Sequence, residues 1–164
     1  MQIISNSELP LVNANEIIPV TWEIDDIFIE NEADIEFNES SNDVTIKTAS
    51  YYDFSGMVNF RAVTTSQSQS THVILVLQKS DDNGANWEDM LASSVSMEQN
   101  ASSKVYTITL PNFIHYLNQN DKVRMVFKKP NYTTANNYTG NSGIAVTNVG
   151  VDVTKSLRIV RIVQ

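Results

Sequence analysis

Gly56-Met57-Val58-Asn59-Phe60-Arg61-Ala62-Val63, followed by His72-Val73-Ile74-Leu75-Val76-Leu77-Gln78-Lys79, is the stretch that decides the fold. Apolar residues alternate with polar ones or run continuously, and Asn, Asp, Ser and Gly punctuate the gaps. Related segments lie on either side: Asp43-Val44-Thr45-Ile46-Lys47-Thr48, Val105-Tyr106-Thr107-Ile108-Thr109-Leu110 and Lys122-Val123-Arg124-Met125-Val126-Phe127-Lys128. A period of two sends one set of side chains to a buried face and the other to water or a second layer. Such segments, recurring at roughly ten- to fifteen-residue spacing from Val44 to Lys129, have the rhythm of an all-β sandwich or barrel. Nowhere is apolar spacing at three and four sustained between caps, so no helix is predicted. The expected architecture is an antiparallel β-sandwich.

Working outward, the first forty or so residues read differently. Pro10 and Pro19 interrupt the short apolar pieces Leu9–Val12 and Ile17–Val20, and proline is poorly tolerated inside central strands. Ile27-Phe28-Ile29 and Ile35-Glu36-Phe37 suit edge strands. The expected division is an acidic N-terminal arm or set of outer strands over 1–38, and a sandwich domain over 39–164. Ser/Gln/Asn-rich linkers fall at Thr64–Thr71 and Glu98–Ser103. Asn131–Gly143 is a long polar loop carrying Tyr132 and Tyr138, of the kind that supports recognition. Ile144–Val153 and Leu157–Val163 are expected to close the sheet.

The 164 residues fit one domain with room for a core. The absence of cysteine excludes disulfides, thiolate zinc sites and thiol nucleophiles. No apolar run is long enough to span a bilayer, and Met1-Gln2-Ile3-Ile4-Ser5-Asn6 lacks the regions of a signal peptide. The net charge is -8, and all the basic residues lie at Lys47 or beyond, whereas most of the acidic ones precede it. An acidic chain without a Lys/Arg cluster repels phosphates, so nucleic acid is not an expected partner. The acidic front is either a solvated edge or a segment that docks on a basic surface of a neighbour.

Ser80-Asp81-Asp82-Asn83-Gly84-Ala85-Asn86-Trp87 fits the Asp-box pattern Ser-x-Asp-x-Gly-x-Thr-Trp, with Asn86 in the Thr place. The pattern asks for a tight hairpin. Asp82 and Asn83 can bond nearby amides, Gly84 supplies a positive φ, and Trp87 packs the turn down. Sialidases carry several such boxes as structural turns, and this chain has one. The expected role of Ser80, Asp82, Asn83, Gly84 and Trp87 is structural. A calcium site on Asp81, Asp82 and Asn83 is the competing reading, although the ordered ligand spacing of a calcium loop is missing.

His72 and His115 have no second histidine at metal-binding spacing, and no metal or cofactor is expected. There is no Gly-x-Ser-x-Gly elbow and no phosphate-binding glycine loop, and no carboxylate pair stands out for glycosidase chemistry. The chain is expected not to be an enzyme. The Asn-x-Ser/Thr triplets at Asn38, Asn100, Asn131 and Asn137 are read as accidents of an Asn-, Ser- and Thr-rich composition.

Two segments carry a family resemblance. Ser50-Tyr51-Tyr52-Asp53-Phe54-Ser55-Gly56-Met57-Val58 resembles the Gly-x-Tyr-x-Phe-x-x-x-Val strand of the tumour-necrosis-factor-like jelly roll, which also forms complement globular heads. Tyr116-Leu117-Asn118-Gln119-Asn120-Asp121-Lys122-Val123-Arg124-Met125 is similar to that family's Leu-x-x-Gly-Asp-x-Val turn and strand, with Asn120 and, earlier, Ser50 in place of glycines. Asn is the best substitute where left-handed geometry is needed. The resemblance covers about the last three quarters of the chain. It implies an antiparallel jelly-roll sandwich of a kind that commonly trimerises, and that also occurs in bacteriophage head fibres, capsid decorations and tail tips.

The expectation is therefore a non-enzymatic virion structural protein of a bacteriophage, a capsid decoration or head-fibre component made in the host cytoplasm. Its partners would be further copies of itself, as a trimer, and capsid or other virion proteins, without membrane insertion. Sandwich edges and one exposed apolar face need covering, and a closed ring of copies does this. Phe113, Tyr116, Met125 and Phe127 are the candidate interface residues, with ordinary core packing as the competing reading for each. The alternative function resembles a carbohydrate- or receptor-binding module (a tail-tip adhesin), in which Trp22, Trp87, Tyr132 or Tyr138 would stack on a host-surface glycan.

Overall fold

The computed structural model describes residues 1–5, 17–22, 27–28, 31–63, 71–97, 105–128, 143–146 and 155–163. Among these residues there are twelve strands and no helix: β1 (Gln2–Ser5), β2 (Ile17–Pro19), β3 (Ile27–Phe28), β4 (Ile35–Asn38), β5 (Asp43–Ile46), β6 (Ser50–Val63), β7 (Thr71–Ser80), β8 (Glu88–Met97), β9 (Val105–Leu117), β10 (Lys122–Lys128), β11 (Gly143–Val146) and β12 (Lys155–Ile162). They form two antiparallel sheets. The first runs β9–β6–β12–β1–β3, with β11 pairing β6 beyond the end of β12. The second runs β4–β5–β10–β7–β8, with β2 beside β10. Apart from the β4–β5 and β7–β8 hairpins, neighbouring strands are distant in sequence, which is the nested order of a jelly roll.

Alternation decides what each strand buries. From β6 the side chains of Tyr52, Phe54, Val58 and Phe60 enter the core, while Tyr51 and Asp53 face outward. From the opposite sheet come Val73, Leu75, Leu77, Val123, Met125 and Phe127, all fully buried. The rings of Phe60 and Phe127 meet edge to face, with centroids 6.2 Å apart, and join the layers. This corrects the interface reading of Met125 and Phe127: with no exposed surface, they have nothing to offer a neighbour. Phe113 is half-buried against the same core and stacks on His115.

The described part of 1–38 is built into both sheets. β1 lies between β12 and β3, and β4 pairs β5 along its whole length. Ile3, Val20, Trp22 and Ile35 belong to the common core. β3 and β4 end their sheets, as suits short pieces with turn residues around them. The lengthwise charge imbalance is partly cancelled in space. Glu36 pairs Lys47 at 3.1 Å, Asp34 pairs Arg161 at 2.7 Å, and the buried Asp43 lies 3.6 Å from Lys122.

Irregular positions have local causes. Phe54 faces Phe113 and Gly56 faces Leu110, so Ser55 stands against both Pro111 and Asn112 in a bulge. A bulge on an edge strand is where a residue without an amide proton can sit. Asn42 and Asn120 take positive φ values of 52° and 72°, the conformation Asn tolerates best after Gly. Gly56 is small because its surroundings are close. A Cβ there would lie 3.0 Å from the Ser156 carbonyl oxygen and 3.3 Å from Met125 Sδ. Gly56→Ala should lower stability by about 1–3 kcal/mol, read from the urea midpoint. An unchanged midpoint would show that β12 yields freely.

Candidate functional site

Two surface features stand out, a locked turn on one sheet and an apolar face on the other. The turn joins β7 to β8. Asn83 and Gly84 have φ values of 61° and 90°, and the Ala85 N–H reaches the Asp82 carbonyl at 3.4 Å. These are the marks of a type I′ turn, whose twist matches paired strands and whose favoured dipeptide is Asn-Gly. Ser80 is buried at the base. Its hydroxyl accepts the Gly84 N–H at 2.8 Å and donates to Asp82 Oδ1 at 2.7 Å. The Asp82 carboxylate accepts the Asn86 amide N–H at 2.8 Å and its side-chain amide at 2.6 Å. The Trp87 indole N–H donates to the Gly84 carbonyl at 3.0 Å. All five hairpin residues singled out in the sequence thus come together here.

The Asp82 carboxyl is held down to about 2, first by the Asn86 backbone N–H, then by the Ser80 hydroxyl and the Asn86 side chain. A carboxylate depressed in the folded state adds stability above its ordinary range and loses it as pH falls through the folded value. The stability difference between wild type and Asp82→Asn should therefore be full above about pH 4 and vanish as pH falls through about 2. Melting curves of both proteins across that interval measure it, and a difference independent of pH would contradict the assignment. Both oxygens of Asp82 are engaged within the turn, which leaves little for a calcium ion. Among the described residues no cluster of three or more His, Asp or Glu side chains is placed to hold a metal.

Trp87 also supports a polar row across the outer face of the second sheet. The Arg124 guanidinium stacks 3.9 Å from the ring centroid, and its Nε–H donates to Gln78 Oε1 at 3.0 Å. Gln78 donates to Asp89 Oδ1 at 2.8 Å, and Lys128 donates to the same oxygen at 2.6 Å. One face of the Trp87 ring is thus covered, and only the other is left for a sugar to stack on. Trp22 is buried in the core. Tyr132 and Tyr138 lie outside the described residues.

The apolar face belongs to the first sheet. Tyr51 and Tyr116 stand directly opposite each other on β6 and β9, edge to face with centroids 5.2 Å apart. Next to them is Ile114, opposite Asp53. Tyr51, Ile114 and Tyr116 are 46%, 58% and 46% exposed, and Val160 and Ile162 of β12 continue the same rows. The charges within it are Asp53 and Arg158, which pair with each other at 3.2 Å. Of the four sequence-nominated interface residues, Tyr116 alone lies on this face. Tyr51 and Ile114 were missed, although both follow from Tyr116 by alternation on β9 and by its pairing with β6.

At one end of the sandwich Tyr52, Asp34 and Arg161 line a cavity of about 290 Å³. The Tyr52 hydroxyl donates to the Thr48 carbonyl at 2.6 Å, and burial, followed by the Asp34 charge, pushes it up to about 12. The Asp34 carbonyl accepts the Lys47 and Thr48 N–H groups, so this cluster ties β4, the β5–β6 turn and β12 together. Most of its polar groups serve one another, the pattern of a structural knot, although the buried Arg161 Nε has no hydrogen-bond partner.

No family model matches the sequence, and no curated protein matches it. Solved structures do. Eiger TNF from S. frugiperda superimposes with a TM-score of 0.62 at 11% identity, over 99% of this chain and 90% of that one. Murine APRIL gives 0.53 at 11% identity, over 88% of this chain and 93% of the other. At that identity the likeness speaks of architecture, and the architecture is a TNF-like jelly roll.

Proposed function

We propose that this chain is a non-enzymatic assembly protein that self-associates through the outer face of its first sheet, and that it serves as a capsid-decoration or head-fibre component of a bacteriophage particle. The observation that carries the reading is the Tyr51–Ile114–Tyr116 cluster. Three large, half-exposed apolar side chains share one sheet face beside an ion pair that is already satisfied. Contiguous apolar patches of this kind mark interaction sites. A closed ring of three copies covers such a face with a second surface of the neighbouring copy and leaves no open end. The virion setting draws on the cysteine-free, Asn-, Ser- and Thr-rich composition and on the resemblance stated above. In that setting the protein is made in the host cytoplasm and carried in the particle.

Light scattering should give three times the 18.4 kDa chain mass. Ile114→Asp combined with Tyr116→Glu should reduce it to one chain with the β-sheet circular dichroism retained. A wild-type monomer at high concentration would end the self-association reading. The particle setting is tested separately by gene neighbourhood. Adjacent capsid and portal genes support it, whereas a glycoside-hydrolase cluster would favour carbohydrate binding.

A further inference from the structure

The turn between β7 and β8 contains the chain's one Asn-Gly dipeptide, Asn83-Gly84. An asparagine followed by glycine readily loses its side-chain amide, because no Cβ hinders attack by the glycine nitrogen. We infer that Asn83 is a latent deamidation site, locked while this hairpin is closed and released when it opens.

The chemistry needs only water. The Gly84 amide nitrogen attacks Asn83 Cγ, a new C–N bond closes a five-membered succinimide, and the Cγ–Nδ2 bond breaks. Ammonia leaves with the proton that the Gly84 nitrogen has given up. Water then opens the ring at either carbonyl. One opening yields aspartate; the other yields isoaspartate, in which the main chain runs through the former side chain.

Two independent features of the turn prevent the first step. The φ values of 61° and 90° fix a type I′ turn, in which ψ of the first central residue is about +30°. At that ψ the following nitrogen lies nearly opposite Cβ across the Cα–C bond, so Gly84 N cannot approach Cγ. In addition, the Gly84 N–H is donated at 2.8 Å to the Ser80 hydroxyl, which is buried and fixed in turn by Asp82 at 2.7 Å. A base has no access to the proton whose loss activates the nitrogen. Asn83 itself is exposed, so the lock is conformational and not steric.

Release has a lasting outcome. Isoaspartate adds a carbon to the backbone of a turn with two central residues, and the Ala85-to-Asp82 closure and the Ser80 contact can no longer be met together. The new carboxylate also lies beside Asp81 and Asp82. Each opening event that ends in isoaspartate is thus recorded as a hairpin that does not re-form.

The test compares the intact protein with a synthetic peptide of residues 78–88 in mildly alkaline buffer, following isoaspartate at position 83 by peptide mapping. The folded protein should react at least about tenfold more slowly than the peptide, since the reaction draws on an open hairpin population. Equal rates would overturn the inference. Ser80→Ala, shown to remain folded by circular dichroism, should accelerate the reaction several-fold in the intact protein. If it does not, Ser80 is no part of the lock. The first comparison needs no variant and so decides the inference even if Ser80→Ala fails to fold.

Discussion

A chain lacking residues 1–38 should fail to fold. The deletion removes Ile3, Val20, Trp22 and Ile35 from the shared core, where each is at most 5% exposed. It strips β12 of its partner β1 and β5 of its partner β4, leaving two rows of unpaired backbone groups. It also takes away the Asp34 carbonyl that accepts two amides of the β5–β6 turn, and the carboxylate that holds Arg161. Truncating one large core side chain typically costs about 2–5 kcal/mol, and a domain's whole stability is about 5–15 kcal/mol. Four such losses with two exposed sheet edges exceed that margin. Circular dichroism and a denaturant titration check this. A cooperative unfolding transition in the fragment would show that 39–164 is self-sufficient and that the front of the chain is an accessory.

Phe127→Ala should cost about 3–5 kcal/mol. The ring has no exposed surface, lies on β10 between β7 and β2, and provides the edge-to-face contact with Phe60 across the layers. Its removal opens a cavity that rigid strand backbones cannot close. The effect also separates core from interface. A core residue lowers stability equally at every protein concentration, whereas an interface residue makes the loss depend on concentration. Chemical denaturation at two concentrations a hundredfold apart should give the same shift for Phe127→Ala. A shift that shrinks on dilution would return Phe127 to the subunit interface.

The difficulty of placing Phe127 from sequence has a physical origin. Strand alternation reveals that two faces exist, not which one is covered. On β7 and β10 the signal is weaker still. Leu75, Leu77, Met125 and Phe127 fill the space between the sheets, yet Val76 and Val126, directly opposite each other on the other face, are fully buried as well. Both strands therefore read as nearly continuous apolar runs. The strands of the second half and the Asn-Gly turn were legible because their causes are local: period two, β-branched residues and turn chemistry. The stacking of Arg124 on Trp87 and the pairing of Asp34 with Arg161 were not, since each depends on a strand order that no local pattern encodes. The prolines and acidic residues at the front suggested a segment standing apart. Among the described residues, Asp34, Glu36 and Asp43 meet Arg161, Lys47 and Lys122, cations of β12 and of the β5 and β10 ends that become neighbours only in the folded sandwich.

The pairing of β1 with β12, Gln2 opposite Arg158 through Ser5 opposite Lys155, governs when this molecule can form. Synthesis delivers β1 long before β12, so the first sheet lacks a central strand until Lys155–Ile162 has left the ribosome. Contacts that span this much sequence are slow to find, because the entropy of closing the loop is lost before any pairing rewards it. Meanwhile the nascent front half carries Asp34 and Asp43 without their later partners Arg161 and Lys122. Excess charge of one sign favours solvation over association, which suits a segment that must wait for β12.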